Sequence, residues 1–171
     1  MSAPAGDGGG TDGALPFSLR KLGPVTPPAG LAVECHRLSM PAFSMDWAIA
    51  VVAVRGAFPD GSAGREHARY LKLACLEAMA RMDALCLILD FREATYGWGD
   101  SLIDVFTTLD RHFYYEWHDI GMRMPIKLLA SESSSGLLSL VRPECLFPTL
   151  EAAIDSCRRD LERYMADDDD G

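Results

Sequence analysis

The sequence predicts a single α/β domain, a mixed β-sheet packed with helices in the order ββαβαβ(α)βα. Three observations carry this. Ala84 to Asp90, ALCLILD, is an almost unbroken apolar run closed by an acidic residue, which suits a strand covered on both faces, the usual state of a parallel strand. Trp47 to Arg55, WAIAVVAVR, is a second such run, rich in β-branched residues. Between and after these runs the apolar spacing becomes helical, so strands and helices alternate as they do in a sheet with crossover helices.

A chain of 171 residues is long enough for one domain with its own core and tails at either end. Its formal net charge of −9 argues against nucleic acid or an anionic membrane as partner, because both require a positive field. A basic or neutral protein partner fits better. The cysteines Cys35, Cys75, Cys86, Cys145 and Cys157 are odd in number, lack CxxC spacing and mostly lie in apolar patterns. They read as buried, reduced thiols. The N-terminus has no basic region followed by an apolar core, and no stretch is apolar over the length of a membrane span. A cytoplasmic location is the expectation.

Taken in order, residues 1 to 30 are rich in Gly, Ala and Pro and read as a mobile arm that buries too little apolar surface to offset its ordering entropy. Leu31 to Leu38 alternates weakly and suits an edge strand, paired or adjacent to the strand from Trp47 to Arg55. Gly56 and the turn at Pro59, Asp60 and Gly61 end that second strand. From Gly64 to Met82, Leu71, Cys75, Ala78, Met79 and Met82 share one helical face, while Arg65, Glu66, Arg69, Lys72 and Arg81 read as its solvated faces. The strand from Ala84 to Asp90 follows, then a short charged connection with Arg92 and Glu93 and a Gly-Trp-Gly turn at residues 97 to 99. A helix from about Ser101 to Trp117 has Leu102, Val105, Phe106, Leu109 and Phe113 as its core stripe. Asp100 or Ser101 is its expected N-cap. Pro125 to Ala130 is the next strand, Leu137 to Val141 a short apolar turn, and Cys145 to Phe147 a last brief strand. Thr149 and Glu151 suit the start of a final helix whose inner face is Leu150, Ala153, Ile154, Cys157, Leu161 and Met165. The domain is expected over residues 31 to 166, with 167 to 171 a solvated acidic tail.

This order, with the strand ILDF followed by Thr95 and Tyr96, the turn into the second helix and the ending LFPTLEAAI, resembles the STAS-like fold of anti-sigma-factor antagonist and sulphate-transporter domains. The resemblance covers roughly Trp47 to Tyr164. It implies no cofactor, no metal and no catalysis, but a module that binds a partner protein such as an anti-sigma factor or related kinase. In the antagonist branch a serine at the start of the second helix is phosphorylated and switches affinity. Aligned without a gap, this chain has Asp100 at that place and Ser101 beside it. The motif is therefore not intact, Asp100 would carry a permanent charge, and Ser101 is the possible phosphorylation site. A looser resemblance, in kind and size, is to small acidic immunity proteins of bacterial toxin systems, whose partner would be a basic toxin.

The expected binding surface is Trp98, Gly99, Asp100 and Ser101, extended along the next helix by Asp104, Thr107, Thr108 and Arg111. Competing structural roles are open: Trp98 as a cover for the sheet end, Asp100 as a cap, and Asp90 as acceptor for a loop amide. The enzyme alternative is a metal-dependent hydrolase in which Asp90, Glu93, Asp100 and Asp104 converge. Against it, no Gly-rich phosphate loop or lysine and arginine constellation is legible, the histidines lack metal-ligand spacing, and no cysteine has a nucleophile context. Finally, Phe113, Tyr114, Tyr115 and Trp117 crowd one helix end. Tyr114 or Trp117 could make a partner patch or a homodimer contact, or pack under the following loop.

Overall fold

A computed structural model of the chain describes residues 24–39, 48–117 and 126–168. The strands are Leu31–Ser39 (β1), Ala48–Ala57 (β2), Ala84–Thr95 (β3), Ile126–Leu129 (β4) and Leu146–Phe147 (β5), and the α-helices are Arg65–Met82 (α1), Ile103–Trp117 (α2) and Leu150–Asp168 (α3). The strands form one mixed sheet in spatial order β1-β2-β3-β4-β5. β1 runs antiparallel to β2, and β2 to β5 are mutually parallel. The expected α/β class and element order therefore stand.

Register decides which residues meet which helix. Cys35, Val52, Leu89 and Leu128 lie in one row across the sheet. At one end of that row Cys35 shares a shallow cleft with Tyr70 and Glu77 of α1, and at the other Leu128 lines a pocket with Phe106 of α2. The neighbouring row, His36, Val51, Ile88 and Lys127, points the other way. There Lys127 reaches Asp160 of α3 at 2.6 Å. So α1 and α2 cover one face and α3 the other. This explains the continuous apolar reading of β3, where Cys86 to Leu89 are all fully buried.

α1 stops at Asp83, whose left-handed backbone (φ 50°) lets its N–H bond to the Met79 carbonyl. The expected inner stripe of α1 is buried at Leu71, Cys75, Ala78 and Met79, and that of α2 at Leu102, Val105 and Leu109. Packing of this inner stripe against the sheet supplies most of the stability of such helices.

Several boundaries differ from the expectation. β3 does not end at Asp90 but continues through Arg92 and Glu93 to Thr95. Its charges are accommodated by a bulge: Ala53 pairs with Asp90 and Arg55 with Glu93, so β3 carries one residue more than β2 between those pairs. Asp90 accepts from the backbone N–H of Arg92 at 3.1 Å and from its guanidinium at 2.9 and 2.7 Å. Asp90 therefore bonds within its own strand rather than to a loop amide. Cys145 belongs to a 3-10 turn, leaving only Leu146 and Phe147 in β5. α3 runs on to Asp168, into the residues expected to form the tail. The end of the expected arm is tied down, since Leu31 N–H bonds to the Pro28 carbonyl at 3.2 Å and Ala57 N–H to the Gly30 carbonyl at 3.3 Å. Residues 1–23 of that arm, Trp47, Pro125 and the acidic residues beyond Asp168 lie outside the described residues, as do the side chains of Phe113 to Trp117, Met165 and Asp167. No helix is long and apolar enough to cross a membrane among the described residues. Cys75, Cys86 and Cys157 are buried as expected, but Cys35 is exposed and Cys145 only partly covered.

Candidate functional site

β2 and β3 both end beside the start of α1, and the turn from β3 into α2 closes over that junction. Tyr96 anchors it. Its ring is fully buried against Phe58, edge to face at 6.2 Å. Its backbone N–H bonds to the Ser133 carbonyl at 2.9 Å, and its own carbonyl accepts from Gly136 at 3.1 Å. The Tyr96 hydroxyl donates to the Gly99 carbonyl at 2.7 Å, closing the turn on itself. Burial pushes the phenol above its ordinary pKa. The nearby Ser101 hydroxyl supplies no hydrogen bond to offset it. That hydroxyl is itself buried and satisfies no hydrogen-bond geometry.

The glycines around the turn are required by close approach. Gly99 has φ +132°, and a Cβ there would lie 2.8 Å from the Gly61 nitrogen. A Cβ on Gly136 would meet the Gly97 carbonyl oxygen at 2.3 Å. The loops carrying Gly61 and Gly136 are thereby pressed onto the turn at residues 97 to 99 with no side chain at either contact.

Trp98 sits at the crest. Its N–H donates to Asp60 Oδ1 at 3.2 Å, and its carbonyl accepts from Gly61 N–H at 3.2 Å. The indole lies over Gly61, where a Cβ would come within 3.2 Å of the ring. Yet the residue is 65 % exposed. Trp98 is thus a fixed, exposed aromatic and not a cover for the sheet end.

The other expected residues divide. Asp100 meets α2 through its backbone, the Ile103 N–H donating to its carbonyl at 3.0 Å, while the side chain lines a cleft of about 510 Å³ between α1 and α2. The expected side-chain cap is therefore replaced by a main-chain contact. Ser101 and Asp104 line the same cleft. Thr108 and Arg111 follow Asp104 on one stripe of α2 by helical spacing, Thr108 half-buried and Arg111 exposed. Thr107 turns away to a second pocket, of about 210 Å³, beside Asp110, Val141 and Arg142. Phosphorylation of Ser101 would need the turn to open, because a Cβ on Gly64 would already lie 2.8 Å from its Oγ.

The opposite wall of the cleft was missed by sequence reasoning. Arg65, Arg69 and Lys72 of α1 line it, although they read as a solvated face. Lys72 pairs with Asp104 at 2.5 Å, whereas Arg65 and Arg69 make no ion pair with the described residues. Their spacing over two helical turns was the available signal. Asp60 was also read only as a turn residue, because its service to Trp98 spans distant segments.

The four carboxylates of the hydrolase alternative do not converge. Asp90 is held by Arg92, Glu93 by Arg55 at 3.1 Å and Asp104 by Lys72, while Asp100 faces the cleft. Burial opposes ionisation of Asp90, but the Arg92 bonds outweigh it and hold the carboxyl below the usual range. Among the described residues no three His, Cys, Asp or Glu side chains gather as metal ligands. His67 stacks on Phe58 at 5.7 Å with its Nε2 3.3 Å from the Ala29 carbonyl oxygen, a packing role. In comparisons with known proteins the chain matches no family model and no curated protein.

Proposed function

We propose that the chain is a STAS-like, non-catalytic module that binds one cytosolic protein through the turn between β3 and α2, and thereby restrains or releases that partner's activity. The observation that carries this reading is Trp98, exposed by 65 % although its backbone is bonded on both sides and its ring rests on Gly61. An aromatic ordered before binding loses little further entropy on association, and Trp is enriched among residues that dominate interface energy. Beside it the cleft presents Arg65 and Arg69 on one wall and Asp100 on the other. A partner surface carrying both signs of charge is its complement, rather than a uniformly basic one.

The buried Ser101 hydroxyl favours a permanent binding surface over a phosphoswitch. Among the two partner classes, a cognate toxin therefore fits better than an anti-sigma factor or related kinase. The dispersed carboxylates give the hydrolase alternative no support from geometry.

The test is affinity capture from the native host with the wild-type chain beside a Trp98→Ala/Asp100→Lys variant, both checked for folding by circular dichroism. One stoichiometric protein retained by the wild type and lost with the folded variant is expected. Equal capture by both proteins would make the turn structural, and a captured kinase that phosphorylates Ser101 would replace the toxin version with the switch.

A further inference from the structure

β1 is the outer strand of the sheet, and among the described residues no strand lies beyond it. Its nine residues extend over roughly 30 Å. An outer strand offers a row of unpaired N–H and C=O groups, and globular proteins blunt such edges with prolines, bulges or charge. β1 contains no proline and pairs with β2 without a register break. Its middle, Glu34, Cys35, His36 and Arg37, is exposed on both faces.

The charges on this edge are arranged symmetrically. Glu34 and His36 flank Cys35 and share the face opposite α1. When two copies of a strand pair antiparallel about a two-fold axis perpendicular to the sheet, each face of one sheet continues into the same face of the other. Such an axis must pass through a residue. Centred on Cys35, it sets Glu34 of each copy opposite His36 of the other and brings the two Cys35 side chains together. Centred on Glu34 or His36, it sets like residues against one another. Only the Cys35 register sets the Glu34 carboxylate of each copy opposite the His36 imidazole of the other, adding to the 3.6 Å contact these two side chains already make within one chain, and a one-residue slip is prevented because it inverts the faces. On the other face Cys35 shares a cleft with Glu77 and Arg81, which already pair at 3.2 Å, so the axis places two such pairs side by side.

We infer that β1 is a homodimer edge: two copies pair antiparallel through Leu31–Ser39 with Cys35 on the axis, joining their sheets into one. This surface is separate from the Trp98 turn, so dimerisation and partner binding can be tested independently.

Sedimentation equilibrium of the full chain, with dithiothreitol present, measures the association, and two variants test the register. His36→Glu places like charges opposite Glu34 and is expected to raise the dimer Kd at least tenfold. His36→Lys puts a permanent positive charge opposite Glu34 and is expected to lower it severalfold. Neither substitution removes Arg55, which pairs with Glu34 at 2.6 Å. Diamide treatment, in which the reagent takes two electrons and two protons from a pair of thiols, should yield a covalent dimer whose bridging tryptic peptides both contain Cys35. A wild-type chain monomeric at high micromolar concentration would overturn the inference. So would a dimer indifferent to both variants, or a bridge through another cysteine.

Discussion

Replacing Tyr96 by Phe removes a single oxygen from the residue that closes the turn between β3 and α2, and its cost follows from what that oxygen does. The ring stays packed on Phe58, so the apolar burial of the fully enclosed side chain is retained. What is lost is the bond from the hydroxyl to the Gly99 carbonyl, 2.7 Å long. A neutral hydrogen bond of this kind contributes about 1 kcal/mol net, and a partner left unpaired in the interior costs about 1–3 kcal/mol. Gly99 is only partly covered, so water recovers some of its carbonyl, and the loss should be about 1–2 kcal/mol. For a domain of this size that corresponds to a melting temperature lower by about 2–8 °C. Urea denaturation followed by far-ultraviolet circular dichroism measures it. The pH dependence provides a second, independent readout. Burial raises the phenol pKa in the folded state, so the unfolded chain ionises first as pH rises. The contribution is complete below the unfolded value near 10 and is lost as pH climbs through the folded one, so the gap between wild type and Tyr96→Phe should narrow above about pH 10. A loss under about 0.5 kcal/mol at neutral pH would refute the view that this hydroxyl holds the turn.

Two further perturbations test the architecture around the site. Asp160→Ala strands the Lys127 ammonium, only 9 % exposed and otherwise placed 5.6 Å from the Phe147 ring centroid, and should cost about 3–5 kcal/mol in urea unfolding, whereas the Lys127→Leu/Asp160→Leu pair should be far closer to wild type. The carboxyl of Asp90 is depressed in the folded state, so its contribution is present above the unfolded value near 3.8 and disappears as pH falls through the lower folded value. Arg92→Leu should therefore flatten the acid limb of the stability curve below about pH 4, and an unchanged limb would show that the bulge does not depend on this pair.

The apolar runs at Ala48 to Val54 and Ala84 to Leu89, and the helical stripe of Leu71, Cys75, Ala78 and Met79, were sufficient to specify an α/β domain and its element order. Periodicity is a local property, and burial on one face or on two imprints it directly on neighbouring residues. The turn around Trp98 was legible too, because glycines flanking an aromatic at a strand end are a local signal. Other features were not local. Arg92 and Glu93 read as a connection because their charges look wrong for a strand, and only Asp90 beside them and Arg55 across the sheet make β3 continuous to Thr95. That Asp100 meets its helix through its carbonyl, while its side chain lines the cleft, has no signature along the chain. Trp98 could be a cover or an anchor until Asp60 and Gly61, from another loop, fixed its backbone and left its ring in solvent. Arg65 and Arg69 became one wall of a cleft only when α2 was laid beside α1. The sequence alone determined which segments become strands and helices, since that is set by neighbours along the chain. Tertiary structure decided which charges are paired and which aromatic is exposed, since each depends on segments that meet only after the sheet has assembled.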